Sequence, residues 1–156
     1  MMAWYRTVTA FADEYNRDDS MTTGQLIGKS LQASLTVKDL EKSITWYVDV
    51  LGFKLDRRIE RDGTLRGVAV SAGDVRIILN QDDGAKGWDR IKGQGFSLQI
   101  TTTQDVDEIA QRIKEQGGAL ETEPKDMPWG ARAFRFRDPD GFRWSMSRPN
   151  AATPEH

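Results

Sequence analysis

The chain has 156 residues, a length that favours one domain built around a single core. Apolar residues make up 38% and charged residues 29%, the balance of a globular protein rather than of a disordered or membrane-embedded one. The 22 lysines and arginines against 24 aspartates and glutamates leave a net charge of −2, which gives no global electrostatic support to nucleic-acid binding.

The counts of cysteine and histidine restrict the chemistry further. The chain has no cysteine, and its single histidine, His156, is the last residue. Disulfides, thiol nucleophiles and Cys-rich zinc sites are therefore excluded, and a Ser-His-Asp triad has no histidine in the body of the chain. Any chemistry must use carboxylates, amides, hydroxyls, aromatic rings, lysine or arginine.

The first residues carry no targeting pattern. Asp13 and Glu14 occur before an apolar stretch can reach the length of a signal-peptide core, and no apolar run approaches the roughly 20 residues of a membrane helix. We therefore expect a cytoplasmic protein without a membrane partner. Residues 1–25 do not share the pattern that follows and are interpreted as an N-terminal extension, either loosely packed or helical, or as an arm that swaps onto a partner subunit.

The main domain is predicted over residues 26–150, and its first module covers about residues 31–80. Alternating apolar residues predict a strand over 31–37. Asp39 can cap the helix that follows, and Gly52 ends it. Strands are predicted over 53–60, 65–71 and 75–80. The apolar positions of the helix are Leu40, Ile44, Val48 and Leu51.

A second module with the same plan covers about residues 95–148, after a polar connection over 81–94. Phe96, Leu98 and Ile100 alternate as in a strand, and Asp105 with Glu108 is typical of a helix start. Strands are predicted over 119–123, 132–137 and 142–147, the last two joined by the turn Asp138-Pro139-Asp140-Gly141. The fold class is therefore α+β, with two βαβββ modules whose mixed sheets curl around a groove.

One sequence motif carries a family resemblance. Residues 39–53, with Asp39, Ser43, Trp46, Tyr47 and the Leu51-Gly52-Phe53 ending, together with the Asp138 turn, resemble the vicinal oxygen chelate superfamily of glyoxalases, bleomycin-resistance proteins and extradiol dioxygenases. The resemblance covers about residues 30–149. It implies paired modules that enclose a ligand cavity, often completed by a second subunit.

The resemblance implies a divalent metal held by side chains of the first and last strand of each module, but only one of these four positions carries a competent ligand here. They fall on Gln32, which can coordinate, on Ile78, which has no donor atom, on Gly95 or Phe96, and on Ser145. Gln32 is thus the only plausible inherited ligand, and one of four does not make a metal site. We expect no cofactor, and a divalent metal is disfavoured.

A ligand site of another kind is predicted on the same strand faces. The two-residue period of a strand directs polar side chains of both modules toward the groove, where amides, hydroxyls and two arginines suit a planar or anionic molecule. The alternative is that one or both arginines reach solvent or pair with nearby carboxylates. Trp46 and Trp144 are interpreted as core, and Trp88 and Trp129 as candidates for the groove rim. The candidate ligand-binding residues are Gln32, Ser34, Arg76, Gln99, Trp129, Arg143 and Ser145.

Three functions fit these observations. The first is metal-free binding of a small polar or aromatic molecule by a homodimer. The second is an enzyme of the superfamily, a lyase, isomerase or dioxygenase, with Gln32 and atypical ligands or with a carboxylate base. The third is a protein-interaction module that has lost its cavity. The catalytic residues, the ligand and the pairing of modules within or between chains stay open at this point.

Overall fold

The computed structural model describes residues 24–151. Residues 24–31 belong to a first unit and carry no helix or strand, and the second unit begins at Gln32. The predicted N-terminal extension lies almost entirely outside the described residues, so its interpretations stay predictions. No helix within residues 24–151 is long and apolar enough to cross a membrane.

The first module forms a four-stranded mixed sheet. Its strand order is β1-β4-β3-β2, in which β1 runs parallel to β4 and the remaining pairs are antiparallel. A helical segment connects β1 to β2 and packs on one face of the sheet. The elements are β1 (Ala33–Val37), α1 (Leu40–Thr45), a π-helical segment (Trp46–Leu51), β2 (Lys54–Arg61), β3 (Thr64–Ala72) and β4 (Val75–Gln81).

The second module repeats this topology. Its strand order is β5-β8-β7-β6, again with one parallel pair, β5 and β8. The predicted α+β fold with two βαβββ modules is thus confirmed. No strand of one sheet pairs with a strand of the other within the described residues, so the two sheets do not close into a barrel. The elements are β5 (Leu98–Thr101), α2 (Val106–Glu115), β6 (Leu120–Met127), β7 (Ala131–Arg137) and β8 (Arg143–Pro149).

The first helix differs from its prediction in one respect. Asp39 caps it as expected, by accepting a hydrogen bond from the backbone of Lys42, and Gly52 ends it with a φ of 93°. Its second half is π-helical rather than α-helical. In this wider turn the adjacent Trp46 and Tyr47 both reach aromatic rings of the second sheet, which the regular 3.6-residue period did not predict.

Two strand boundaries in the second module were predicted wrongly. β6 continues past residue 123 to Met127 although it contains Pro124, because β6 is an edge strand and its register shifts between Thr122 and Lys125. β5 begins only at Leu98. Phe96 therefore lies before the strand, half-exposed, with its ring 6.0 Å from that of Phe142.

One hydrophobic core joins both modules. It includes the buried faces of the two sheets and the apolar sides of both helices. Trp144 is 1% exposed and lies in this core as predicted, whereas Trp46 is half-buried against it. The opposite face of each sheet lies away from this core and carries mostly polar side chains, with Ile78 and Ala69 as apolar exceptions in the first sheet.

Candidate functional site

The polar face of the first sheet carries three of the predicted ligand-binding residues. Gln32 and Arg76 each precede the Ala33–Ile77 register pair by one residue, so they lie side by side at the start of two parallel strands. Both are exposed. Ser34 accepts a hydrogen bond of 2.7 Å from the side-chain amide of Asn80.

The polar face of the second sheet carries three more. Gln99 is the register partner of Ser145, and Ser145 is the register partner of Arg135, so the three form one row across β5, β8 and β7. Arg143 is directly opposite Arg137 on the same face. The sequence did not predict that Arg137 and Arg143, two of the three arginines of this face, are neighbours. The register between strands decides which of their residues lie opposite each other.

A single carboxylate joins the two opposed arginines. The Nε atoms of Arg137 and Arg143 lie 2.6 and 3.2 Å from the two oxygens of Glu121. Desolvation acts to raise the pKa of Glu121, but the hydrogen bond and charge of Arg137, followed by those of Arg143, outweigh it and hold the pKa below its usual range. Arg143 therefore pairs with a nearby carboxylate, one of the outcomes that the sequence left open.

The last predicted ligand-binding residue lies elsewhere. Trp129 occupies the turn between β6 and β7 and is 68% exposed. Ala131 begins β7 just after this turn, and Arg137, the register partner of Arg143, lies six residues further along the strand. This separation corresponds to about 20 Å. The structure therefore does not bring Trp129 together with Arg143.

The positions that hold a metal in related enzymes do not form a ligand set here. Ile78 has a hydrocarbon side chain, and Ser145 is the register partner of Arg135 on the neighbouring strand. A neighbouring positive charge opposes a divalent cation. Within residues 24–151 no group of three or more histidine, cysteine, aspartate or glutamate side chains could hold a metal ion. The residues at these four positions thus do not fit a conventional divalent metal.

A buried polar cluster links the two modules and was missed by the sequence analysis. The hydroxyl of Tyr47 donates a hydrogen bond of 2.7 Å to Asp138 and accepts one of 3.1 Å from the indole nitrogen of Trp144. Burial raises the pKa of Asp138 to about 6, although the hydrogen bond from Tyr47 acts to lower it. Asp138 was interpreted only as a turn residue. It does cap the turn, by accepting hydrogen bonds from the backbone of Asp140 and Phe142.

A second set of buried charges lies beside this cluster. Lys92 donates to Asp82 over 2.8 Å and lies 3.3 Å from Asp140, and all three side chains are at least 95% buried. Hydrogen bonds from Lys92 and from the backbone of Gly84 hold the pKa of Asp82 at about 2. The sequence signal for this cluster was weak, because residues 81–94 read only as a polar connection.

Comparison with known proteins defines the class. The family model of the Glyoxalase/Bleomycin resistance protein/Dioxygenase superfamily matches residues 29–146, and the chain belongs to this superfamily. A lactoylglutathione lyase of Neisseria meningitidis serogroup B is 32% identical over 120 residues, covering 72% of this chain and 85% of that protein. The structure of an antibiotic binding protein from Streptomyces is similar with a TM-score of 0.62 and 26% identity, over 81% of this chain and 99% of that one.

The chain is shorter than some of its relatives. A lactoylglutathione lyase of Arabidopsis thaliana is 27% identical over 125 residues, which are 76% of this chain but 43% of that protein. The chain thus spans less than half the length of this relative. Relatives of the same superfamily bear names of enzymes and of binding proteins, so membership defines the fold and leaves the function to be argued from the site.

Proposed function

We propose that the protein binds a small polar or aromatic molecule, without a metal, on the polar faces of its two sheets. The observation that carries this proposal is a cationic surface: Arg135 and Arg143 lie next to Ser145 on the same face, at a position where the family resemblance implies a metal ligand. Guanidinium groups bind carboxylates and other planar anions in bidentate geometry. The ligand proposed here is therefore anionic or carries an acidic group.

The proposal includes a homodimer. Gln32, Arg76, Gln99 and Arg143 are all exposed in one chain, whereas small-molecule sites bury most of their ligand. A second copy that covers the polar face of each sheet would supply the missing wall. Light scattering after size-exclusion chromatography tests this, with two chains per particle expected and a monomer at all concentrations contradicting it. We also propose a cytoplasmic location, which fractionation of cells that express the full-length protein tests.

The ligand-binding proposal is tested by thermal shift with a panel of aromatic acids and antibiotics, followed by calorimetry on any compound that raises the melting temperature. Arg76→Ala and Arg143→Ala are each expected to weaken binding of an acidic ligand about tenfold. Arg66→Ala is the matched control, because Arg66 is an exposed arginine of β3 that alternates to the other side of the sheet from Gly67 and Ala69. Unchanged affinity in both test variants would contradict the proposal.

The second candidate is an enzyme of the same superfamily, and the named lactoylglutathione lyases among the relatives favour it. Metal analysis of untagged protein purified without chelator is its first test. About one divalent ion per chain, with formation of lactoylglutathione that stops in EDTA, would support a metal-dependent lyase with Gln32 as ligand. Turnover that persists in EDTA would support a carboxylate base instead, and absence of both metal and turnover would favour the binding protein.

A further inference from the structure

A cavity of about 680 Å³ lies where the two modules meet. The end of β1, the start of α1, the connection between the modules and the turn between β7 and β8 form its walls. This volume falls within the range of small-molecule sites, which often occur at such junctions. Its lining includes Lys38, Lys42, Gln81, Trp88 and Lys92.

This cavity is separate from the start of the first sheet, where Gln32 lies. Lys38 follows the last residue of β1, whereas Gln32 precedes the first, so the two are six residues apart along an extended chain. At about 3.3 Å per residue this corresponds to about 20 Å. A ligand of the sheet faces near Gln32 therefore does not occupy the junction cavity.

The inner part of the cavity is a rigid polar network. Lys92 is buried between Asp82 and Asp140, and the side-chain amide of Gln81 donates to the backbone oxygens of Lys38 and Asp82. Buried charges that are paired and hydrogen-bonded hold their geometry, because any displacement leaves a charge without compensation. The base of the cavity is thus preformed.

Trp88 supplies an aromatic wall that packs against the backbone of a neighbouring loop. Its indole lies against Gly84, where an added Cβ would approach the ring atoms to 2.4 Å. The loop below is held by Asp82 and Asp83, which accept hydrogen bonds from the backbone nitrogens of Gly84 and Ala85. Trp88 nevertheless stays 50% exposed. A large aromatic ring that packs on one side against the chain and stays half-exposed is suited to stacking with a flat molecule.

The rim next to this wall carries the ammonium groups of Lys38 and Lys42 beside the carboxylates of Asp39 and Asp89. Lys38 pairs over 2.9 Å with Asp89, but these side chains are 56% and 94% exposed, so the pair is weak. Lys42 forms none of the ion pairs found within residues 24–151. An acidic group near the rim would gain both ammonium groups as hydrogen-bond donors.

We propose that the junction cavity is a second binding site, for a flat aromatic acid. The ring stacks on the open side of Trp88, and the acidic group contacts Lys42 and Lys38 at the rim. The buried network of Lys92 with Asp82 and Asp140 supports the site but is already satisfied and contributes no free charge. This inference does not depend on the ligand of the sheet faces.

The test uses naphthoate as the probe and its neutral amide, naphthamide, as the matched ligand control, with affinities measured by calorimetry on the full chain. Trp88→Ala is expected to weaken naphthoate binding about fivefold, because the stacking surface is lost. Lys42→Gln is expected to weaken it about threefold, an effect that salt also produces in the wild-type protein. Naphthamide should bind more weakly than naphthoate and should not respond to Lys42→Gln.

Control variants locate the site. Trp129→Ala removes an exposed tryptophan outside the cavity, and Lys125→Gln removes an exposed lysine of β6; neither should alter naphthoate affinity. If Trp88→Ala does not fold, Trp88→Phe replaces it in the test. This variant keeps a ring and should retain most of the affinity. The proposal is overturned if naphthoate does not bind, if the control variants lose as much affinity, or if Arg143→Ala abolishes binding while Trp88→Ala has no effect.

Discussion

Tyr47, on the helical segment of the first module, donates its phenolic hydrogen to Asp138, in the last turn of the second module, over 2.7 Å. Both side chains are buried, and 91 residues separate them along the chain. The same hydroxyl accepts a hydrogen bond from Trp144, so one oxygen joins the helical segment of the first module to two residues of the second. These hydrogen bonds link the two modules next to Pro139 and Asp140, which line the junction cavity.

Removal of the Tyr47 hydroxyl should destabilise the protein. Tyr47→Phe keeps the ring in the core but leaves Asp138 without one donor and the Trp144 indole without its acceptor. The expected loss is about 1–3 kcal/mol in the free energy of unfolding, measured in urea. Thr45→Ala is the control, because it removes an exposed hydroxyl of the same helix and should change stability by less than about 0.5 kcal/mol. An equal effect of both variants would contradict this role.

Asp138 should make stability fall as the pH rises between about 4 and 6. Burial raises its pKa to about 6 in the folded protein, above the value of about 3.9 in an unfolded chain. The folded state therefore binds this proton more tightly, and the stabilisation is complete below the unfolded pKa and lost as the pH passes the folded one. Asp138→Asn should reduce this slope in urea unfolding series. An identical slope in variant and wild type would refute the assignment.

Asp82 should have the opposite effect at lower pH. Its pKa is held at about 2 by hydrogen bonds from Lys92 and Gly84, below its unfolded value, so its contribution is present above about pH 4 and lost as the pH falls toward 2. Lys92→Met removes its buried partner and should lower the melting temperature far more than Lys125→Met, an exposed control. The deficit of Lys92→Met should shrink as Asp82 is protonated. A deficit that stays constant down to pH 2 would argue against this pair.

Glu121 should stabilise the folded protein because its carboxylate pairs with two opposed arginines. Glu121→Gln leaves Arg137 and Arg143 opposite each other on neighbouring strands without a shared carboxylate, a repulsive arrangement. The expected loss is about 1 kcal/mol, since all three side chains are partly solvated. High salt should restore part of it by screening the repulsion. A loss independent of salt would point to packing rather than charge.

Local sequence patterns predicted much of this fold. Asp39 and Gly52 marked the ends of the first helical segment because capping and left-handed backbone depend on residues only a few positions apart. The alternation of Leu35 and Val37 predicted a half-buried strand, because this pattern also depends on residues only two positions apart. The π-helical turn and the continuation of β6 through Pro124 were not predictable, since contacts with the second sheet and the edge position of the strand decide them.

The sequence by itself determined the class of fold, the order of the elements and the residue types available for chemistry, because these follow from local periodicity, capping and composition. Only the tertiary structure decided which side chains meet. In it, Arg135 lies beside Ser145, Trp88 packs against Gly84, Trp129 lies away from the arginines and Asp138 is buried against Tyr47. Register and packing set these contacts, and both arise from interactions between segments that are far apart in the chain.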